Sequence, residues 1–240
     1  MRRRAGQGPL RNAGDRSGEA IALKDLATVE GRLGRYGEAA DHLREGLALL
    51  RRTGNRYLEA HALNDLGTVE ARLDRLDSAA RHQEQALAPF REVGDRYGEA
   101  GALRALGVVH TRLDRPEQGA EYHRQALAIH LQNGDRDGEA RALNGLGEAA
   151  RAADRHADAL THHTDALTIA EDIGHPGLRA GAHRGLGGAH HALGDTCRGL
   201  RCYERAPALY AGLGMPEADD IRARMAVLDR SSLTGHHTAK

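Results

Sequence analysis

The chain has 240 residues, and its 34 lysines and arginines balance its 34 aspartates and glutamates, so the formal net charge at pH 7 is zero. That balance argues against electrostatic binding to nucleic acid or to an anionic membrane, so we expect neither partner. The 2 cysteines are too few for a disulfide framework and indicate a reducing, cytoplasmic location. No apolar run approaches the roughly 18 residues of a membrane-spanning helix, and the basic start lacks the apolar segment of a secretory signal.

A period of 40 residues runs through the whole sequence. A fixed period of this size is typical of a solenoid or a propeller. In the first unit, Ala20, Leu23, Leu26, Glu30 and Leu33 step by three or four, which is helical spacing and excludes a propeller of strands. The period is marked by a recurring glycine, found at Gly14, Gly54, Gly94, Gly134, Gly174 and Gly214.

The first residues predict that the sequence starts within a repeat. The stretch "LRNAGDR" at Leu10 matches "LRRTGNR" at Leu50, which ends the second helix of a unit. We therefore expect residues 1–13 to be a disordered basic leader or the remnant of a preceding repeat helix that is capped at Gly14. The pattern favours a chain cut from something longer, and the alternative is a short adaptor with a frayed first turn.

Each unit predicts two helices, A and B. In the first unit, helix A runs from about Gly18 to Leu33 and helix B from about Gly37 to Thr53, and we expect Leu23, Leu26 and Leu33 to face the core. Helix B ends at the recurring glycine, which accepts the left-handed C-terminal cap, and an Asp or Asn after it suits the turn into the next helix A. Between A and B lie the breaker pairs Gly34-Arg35, Asp74-Arg75, Asp114-Arg115, Asp154-Arg155 and Gly194-Asp195.

The last unit is the least regular. Its helix A, "RGLGGAHHALG", is rich in glycine, and Pro207 is expected to kink its helix B. After it, "MPEADDIRARMAVLDR" predicts a capping helix over residues 214–230, which would cover the last repeat. Residues 231–240 are expected to be a disordered tail.

The stretch "ALNDLGTVEARLDRLDSAARHQEQAL" resembles the tetratricopeptide repeat, with Leu63, Leu66 and Gly67 in helix A and Ala79 and Ala86 in helix B. The units depart from the family in being longer than 34 residues and in lacking both the helix A aromatic and the closing proline. This long variety resembles the repeats of kinesin light chains and the C-terminal arrays of actinobacterial antibiotic-regulatory and signal-transduction ATPase proteins. The resemblance implies an all-α, right-handed superhelix (solenoid) of five helix-turn-helix units plus the capping helix. The units span residues 14–213 as 14–53, 54–93, 94–133, 134–173 and 174–213.

The resemblance also implies a protein- or peptide-binding module whose A helices line a concave groove. Asn can donate to and accept from a peptide unit, and Arg can hold a carboxylate bidentately, although solvation alone would also explain such residues on an exposed face. Because Asp25, Asp65 and Glu148 lie close by, we expect a ligand of mixed charge with any acidic part near Arg104 and Arg184. The predicted ladder of contacts, one per repeat, is Lys24, Asn64, Arg104, Asn144 and Arg184. The predicted flanking groove residues are His61, Thr68, Thr111, Arg141 and Arg151.

The setting implied by the resemblance is the sensor or assembly domain of a bacterial transcriptional regulator. The alternatives are a free-standing adaptor and a scaffold that self-associates through the uncapped N-terminal repeat. No catalytic or nucleotide-binding motif occurs, so we expect no enzyme activity and no cofactor. The histidine and cysteine spacings match no metal site. Glu30 and Glu70 are expected to be snorkelling or Arg-paired carboxylates.

Overall fold

The computed structural model describes residues 8–212, with side chains described for residues 16–206. The predicted capping helix over 214–230, the tail over 231–240 and Gly214 lie outside the described residues. Within them the chain is all-α, as expected. The helices are α1 Gly8–Arg32, α2 Tyr36–Thr53, α3 Arg56–Arg72, α4 Leu76–Val93, α5 Arg96–Arg112, α6 Pro116–Asn133, α7 Arg136–Ala152, α8 His156–Asp172, α9 Pro176–Ala192 and α10 Thr196–Gly212.

The recurring glycines end the B helices as predicted. Gly94 has a φ of 72°, which is the left-handed conformation that glycine adopts without steric cost. The Asp95 N–H then donates to Phe90 O at 2.9 Å, and the Asp95 carboxylate accepts from the Gly98 N–H at 2.8 Å. Asp95 therefore closes one helix and caps the next. The same left-handed backbone occurs at Gly54, Gly134 and Gly174.

The predicted breaker pairs also turn the chain from helix A to helix B through a left-handed residue. Glycine occupies this position at Gly34 and Gly194, but Asp74 and Asp154 adopt it with φ values of 61° and 57°. Aspartate tolerates this conformation better than most residues that carry a side chain. The Arg75 N–H donates back to Glu70 O at 2.9 Å, so the last carbonyl groups of helix A are satisfied.

One sequence expectation about a helix end is wrong. Helix α1 runs unbroken from Gly8 to Arg32 and passes through Gly14, where we expected a cap. Glycine permits the left-handed conformation but does not require it, and it is tolerated within a helix. Helix α10 includes Pro207 and does not end there, since a proline removes one backbone hydrogen bond but its φ is compatible with a helix; the kink expected at Pro207 stays a prediction.

The chain divides into two compact units, and the boundary lies between Leu113 and Asp114. In the first unit each helix from α1 to α4 packs on the next one, and α3 also packs on α5. In the second unit the same pattern holds from α6 to α10, and α7 also packs on α9. Within each unit, consecutive helices therefore contact one another and one pair of A helices is also in contact, which is the local packing of a repeat array.

The core consists mainly of leucine and alanine, as the period predicts. In the first unit the side chains of Leu63, Leu66, Leu103 and Leu106 are at most 1% exposed. In the second unit Leu146 is 5% exposed and lies among buried alanines. These positions confirm the predicted core face of the A helices.

The first A helix does not follow the prediction. Leu26 is 44% exposed and Leu33 is 63% exposed, although both were expected to face the core. Leu66, one period after Leu26, is buried because α3 packs on both α2 and α4, whereas α1 packs mainly on α2. Burial at this position therefore depends on a neighbouring repeat and not only on the residue itself.

Candidate functional site

The predicted ladder residues occupy the A helices at one position per repeat. In the first unit Lys24, Asn64 and Arg104 lie on α1, α3 and α5, and in the second unit Asn144 and Arg184 lie on α7 and α9. All of them are half-buried. Each of these side chains is therefore partly covered by neighbouring helices and partly accessible to solvent.

Two cavities of the first unit lie against this stripe. The α1–α3 cavity, of about 260 Å³, is lined by Lys24, Thr28, Asp65 and Thr68, with Leu43 of α2 also in its wall. The α3–α5 cavity, of about 370 Å³, is lined by residues of α3 and α5 together with one residue of α4. Its lining residues are Thr68, Ala71, Arg72, Gln83, Arg104, Ala105, Val108, Val109 and Arg112.

The second unit has a cavity of the same kind between α7 and α9. It measures about 270 Å³, and its lining includes Glu148, Arg151, Arg184, His191 and Tyr203. In both units, therefore, a predicted ladder residue lines a cavity whose lining also includes a residue of a B helix.

The α1–α3 cavity contains opposite charges. Lys24 Nζ lies 3.7 Å from Asp25 Oδ1, and Asp65 also lines the cavity. Burial raises the pKa of Asp65, and the positive charge of Lys24 opposes that shift. This cavity can therefore offer both a cation and a hydrogen-bonding carboxyl group to a ligand.

The α7–α9 cavity already contains a carboxylate that holds its arginines. Glu148 Oε1 accepts from Arg184 at 2.8 Å, and Glu148 Oε2 accepts from Arg151 at 2.9 Å. Burial alone would raise the pKa of Glu148, but the charges of Arg184 and Arg151 outweigh it and the pKa is lowered. Arg184 is therefore a weaker candidate for an acidic ligand group than the sequence suggested, because Glu148 competes for it.

Asn144 is also engaged inside the fold. The Nδ1–H of His163, from α8, donates to Asn144 Oδ1 at 3.0 Å. His163 is fully buried, and desolvation lowers its pKa to about 4, so the ring is neutral near pH 7. Asn144 Oδ1 therefore already accepts one hydrogen bond inside the fold. By contrast, Asn64 Oδ1 is buried and has no hydrogen-bond partner among the described residues.

The predicted flanking residues mostly bond within their own unit. His61 Nε2 donates to Asp95 Oδ2 at 3.0 Å, and Arg141 Nε donates to Asp137 Oδ2 at 2.5 Å. Thr68 and Thr111 donate to the backbone of their own helices. Among the flanking residues, Thr68 and Arg151 line cavities described above.

A layer of buried side chains, here called the floor layer, lies beneath the ladder residues and was not predicted from the sequence. Its members come from equivalent positions of the B helices, and Gln83, His163 and Tyr203 pack against glycines of the A helices. A Cβ added to Gly67 would lie 2.6 Å from Gln83 Cγ. The signal was present in the 40-residue period, as a position that varies in chemistry while its neighbours stay small. The floor layer consists of Leu43, Gln83, His123, His163 and Tyr203, all at most 4% exposed.

The buried glutamates are structural, in line with the expectation of paired carboxylates. Glu70 accepts from His82 at 2.8 Å and from Arg44 at 3.0 Å, and Glu30 accepts from His42 at 2.8 Å. Burial alone would raise the pKa of Glu70, but hydrogen bonds from Ser78, His82 and Arg44 outweigh burial, so the pKa is lowered. Glu70 therefore links α2, α3 and α4 as a carboxylate.

The sequence was compared with models of known protein families. A family model of the tetratricopeptide repeat matches residues 18–92 and 98–172. The chain is a tetratricopeptide-repeat protein. Tetratricopeptide repeats form a module for protein–protein interaction, and members of the family bind protein or peptide partners. No curated protein sequence matches the chain.

Solved structures share the fold of this tetratricopeptide-repeat chain. A Rap protein complexed with Competence and Sporulation Factor has a TM-score of 0.71 and 15% identity, over 94% of this chain and 73% of that one. A signal-transduction ATPase with a tetratricopeptide-repeat sensor from Pyrococcus horikoshii has a TM-score of 0.70 and 16% identity, over 87% of this chain and 32% of that one. Kinesin-light-chain repeats from Podosopora anserina have a TM-score of 0.65 and 15% identity, over 81% of this chain and 95% of that one. The expected likeness to both kinds of repeat is confirmed at the level of the fold.

Two further kinds of site are absent from the part of the chain that the structure describes, residues 8–212. No helix in that part of the chain has the length and apolar character needed to cross a bilayer. Over the same residues, no three or more His, Cys, Asp or Glu side chains converge in a way that could hold a metal ion.

Proposed function

We propose that this tetratricopeptide-repeat protein binds an extended segment of a partner protein along its A helices. The observation that carries the proposal is the position of the cavities in the first unit. Lys24 lines the α1–α3 cavity and Arg104 lines the α3–α5 cavity, and Thr68, one helical turn after Asn64, lines both. Cavities that combine apolar walls with a few polar groups are the usual form of binding sites.

The spacing of the helices suits an extended chain. Packed helices lie roughly 8–10 Å apart, and an extended peptide advances about 3.3 Å per residue. A ladder residue on each A helix would then meet about every third residue of the bound segment. The charges favour a segment of mixed character, with an acidic group near Arg104 and a neutral or basic group near Asp65.

The wider role we propose is that of a sensor or assembly domain of a bacterial transcriptional regulator. Two structural relatives support this setting: one is named for its tetratricopeptide-repeat sensor, and another was solved in complex with Competence and Sporulation Factor. In this role the bound segment would be the signal or the assembly partner.

The test is a peptide selection followed by a matched pair of variants. A random heptapeptide display library is selected on the full chain, and the affinity of enriched peptides is measured by fluorescence anisotropy. In the groove variant Lys24, Asn64 and Arg104 are each replaced by Ala. We expect it to bind at least about tenfold more weakly, a loss of about 1.4 kcal/mol of binding free energy.

The control variant removes the same charges from the exposed face of the B helices. It carries Arg52→Ala, Arg81→Ala and Gln85→Ala, so it too loses two cations and one carboxamide, all from exposed positions. We expect its affinity to stay within about threefold of the unmodified chain. Equal affinity of the two variants would refute groove binding.

A second candidate function is self-association, and one observation favours it. Leu26, Val29 and Leu33 of α1 are 44%, 53% and 63% exposed, and they follow helical spacing. Leu66, one period after Leu26, and Val109, two periods after Val29, are buried because a neighbouring repeat covers them. A second copy of the chain is the occupant that this candidate requires.

Light scattering distinguishes the two functions. If the chain self-associates through α1, the unmodified protein has the mass of a dimer or larger assembly, and Val29→Lys with Leu33→Lys restores the monomer mass. A monomer at all concentrations, with or without these changes, would remove this candidate and leave groove binding in place.

A further inference from the structure

The α3–α5 cavity has one feature that groove binding alone does not explain. Gln83 of α4 lines this cavity and is only 1% exposed. Its Oε1 is buried without a hydrogen-bond partner, and its side-chain amide makes no hydrogen bond to any described residue. The great majority of buried side-chain polar groups have a partner, so this amide calls for a reason.

The residues around Gln83 limit which groups can reach it. Arg72, Arg104 and Arg112 line the same cavity, while Val108 and Val109 contribute apolar wall. The guanidinium of Arg112 is held by Ala71 O at 2.6 Å and by Asp74 Oδ1 at 2.9 Å. The cavity thus combines a cationic rim with a neutral amide in its buried part.

The chemistry of the amide selects among the possible partners. An amide has both N–H donors and a carbonyl acceptor, and in Gln83 the carbonyl oxygen Oε1 is the buried atom that lacks a donor. A carboxylate supplies acceptors only and leaves Oε1 without a donor. A lysine or arginine supplies donors only and is repelled by the arginines of the rim. A carboxamide supplies both at once, and its oxygen can also accept from an arginine.

We propose that Gln83 is a specificity-determining residue that selects an asparagine or glutamine side chain of the bound segment. This inference rests on the proposed function, because it names the side chain that the segment places in the α3–α5 cavity. The two amides would pair side by side, so that Nε2 of Gln83 donates and Oε1 accepts. The assignment rests on the position of the Gln83 side chain, which is 1% exposed, has no hydrogen-bond partner for Oε1, and lines a cavity with a cationic rim.

The chain itself offers a variant for the test. Leu43 occupies the same floor-layer position one repeat earlier, where it is 2% exposed and lines the α1–α3 cavity. Gln83→Leu therefore removes the amide in a manner that this fold already accommodates. A second variant, Gln83→His, uses the residue found at His123 and His163 and guards against a folding defect of the first.

The probe is a set of acetylated, C-terminally amidated heptapeptide pools. Each pool has one fixed central residue, Asn, Gln, Ser, Asp, Glu, Lys or Leu, and the other positions carry the same random mixture. Retention of each pool by the immobilised full chain is measured by mass spectrometry. We expect the Asn or Gln pool to be retained at least about fivefold better than the Asp, Lys and Leu pools. In Gln83→Leu and Gln83→His this preference should fall below about twofold.

The possible results separate this inference from the function on which it rests. If the unmodified chain retains no pool, the proposed function fails and the inference fails with it. If pools are retained without preference for Asn or Gln, or the Ser pool leads, Gln83 is served by solvent or by a hydroxyl and only the inference fails. It fails in the same way if both variants keep the carboxamide preference.

Discussion

Gly67 lets helices α3 and α4 pack closely beneath the proposed binding surface, because glycine has no Cβ. It lies on α3 where a Cβ would come within 2.6 Å of Gln83 Cγ and 3.0 Å of Ala79 O, so both a side chain and a helix backbone would have to move. We expect Gly67→Ala to lower the free energy of unfolding by about 1–3 kcal/mol, the usual cost of overpacking. The measurement is equilibrium unfolding in urea, followed by circular dichroism.

The control for this prediction is Gly101→Ala on α5, where nothing lies within 4 Å of an added Cβ. Alanine there limits the unfolded chain without a clash and should raise the free energy of unfolding by about 0.4–1 kcal/mol. If both substitutions have the same effect, the close packing of α3 against α4 at Gly67 is not as described.

At the scale of helices, His163 joins three elements of the second unit. It belongs to α8, packs against Gly147 of α7 and Gly185 of α9, and donates to Asn144. Burial lowers its pKa from 6.5 to about 4, with the charge of Glu148 acting in the opposite direction. In the unfolded chain the ring takes up a proton more readily. The stability that depends on the neutral ring is therefore complete above pH 6.5 and is lost as the pH falls towards 4.

The predicted result is a pH-dependent difference between the unmodified chain and His163→Gln. Glutamine occupies the same floor-layer position at Gln83, and it does not titrate. Between pH 7 and pH 4 the unmodified chain should lose up to about 3 kcal/mol more of its free energy of unfolding than the variant does. Urea unfolding across this range measures the difference, and parallel pH profiles would contradict the assignment.

The helices and their ends were largely predictable from the sequence because the turn chemistry is local. Gly94 and Asp95 determine a helix end and a helix start through their own backbone and side-chain bonds. Burial at Leu26 was not predictable in this way, because it depends on which helix packs across it. The same residue type at the same repeat position is 44% exposed in α1 and 1% exposed at Leu66 in α3.

The candidate site was predictable in part. The period places Lys24, Asn64 and Arg104 at equivalent positions of successive A helices, and Lys24 and Arg104 each line a cavity of the first unit. The partners of these residues were not readable from the sequence, because Glu148 reaches Arg184 and His163 reaches Asn144 only after the helices pack. The second unit therefore has fewer uncommitted polar groups than the ladder pattern suggests.

At the scale of the whole molecule, the central claim is that the A helices and not the B helices form the binding surface. Amide hydrogen exchange of the full chain, with and without a peptide selected from the display library, tests it most directly. Binding should slow exchange in α3 and α5 of the unmodified chain, and the groove variant should show no such change at the same peptide concentration. Protection confined to α2 and α4, or protection that persists in the groove variant, would contradict the account.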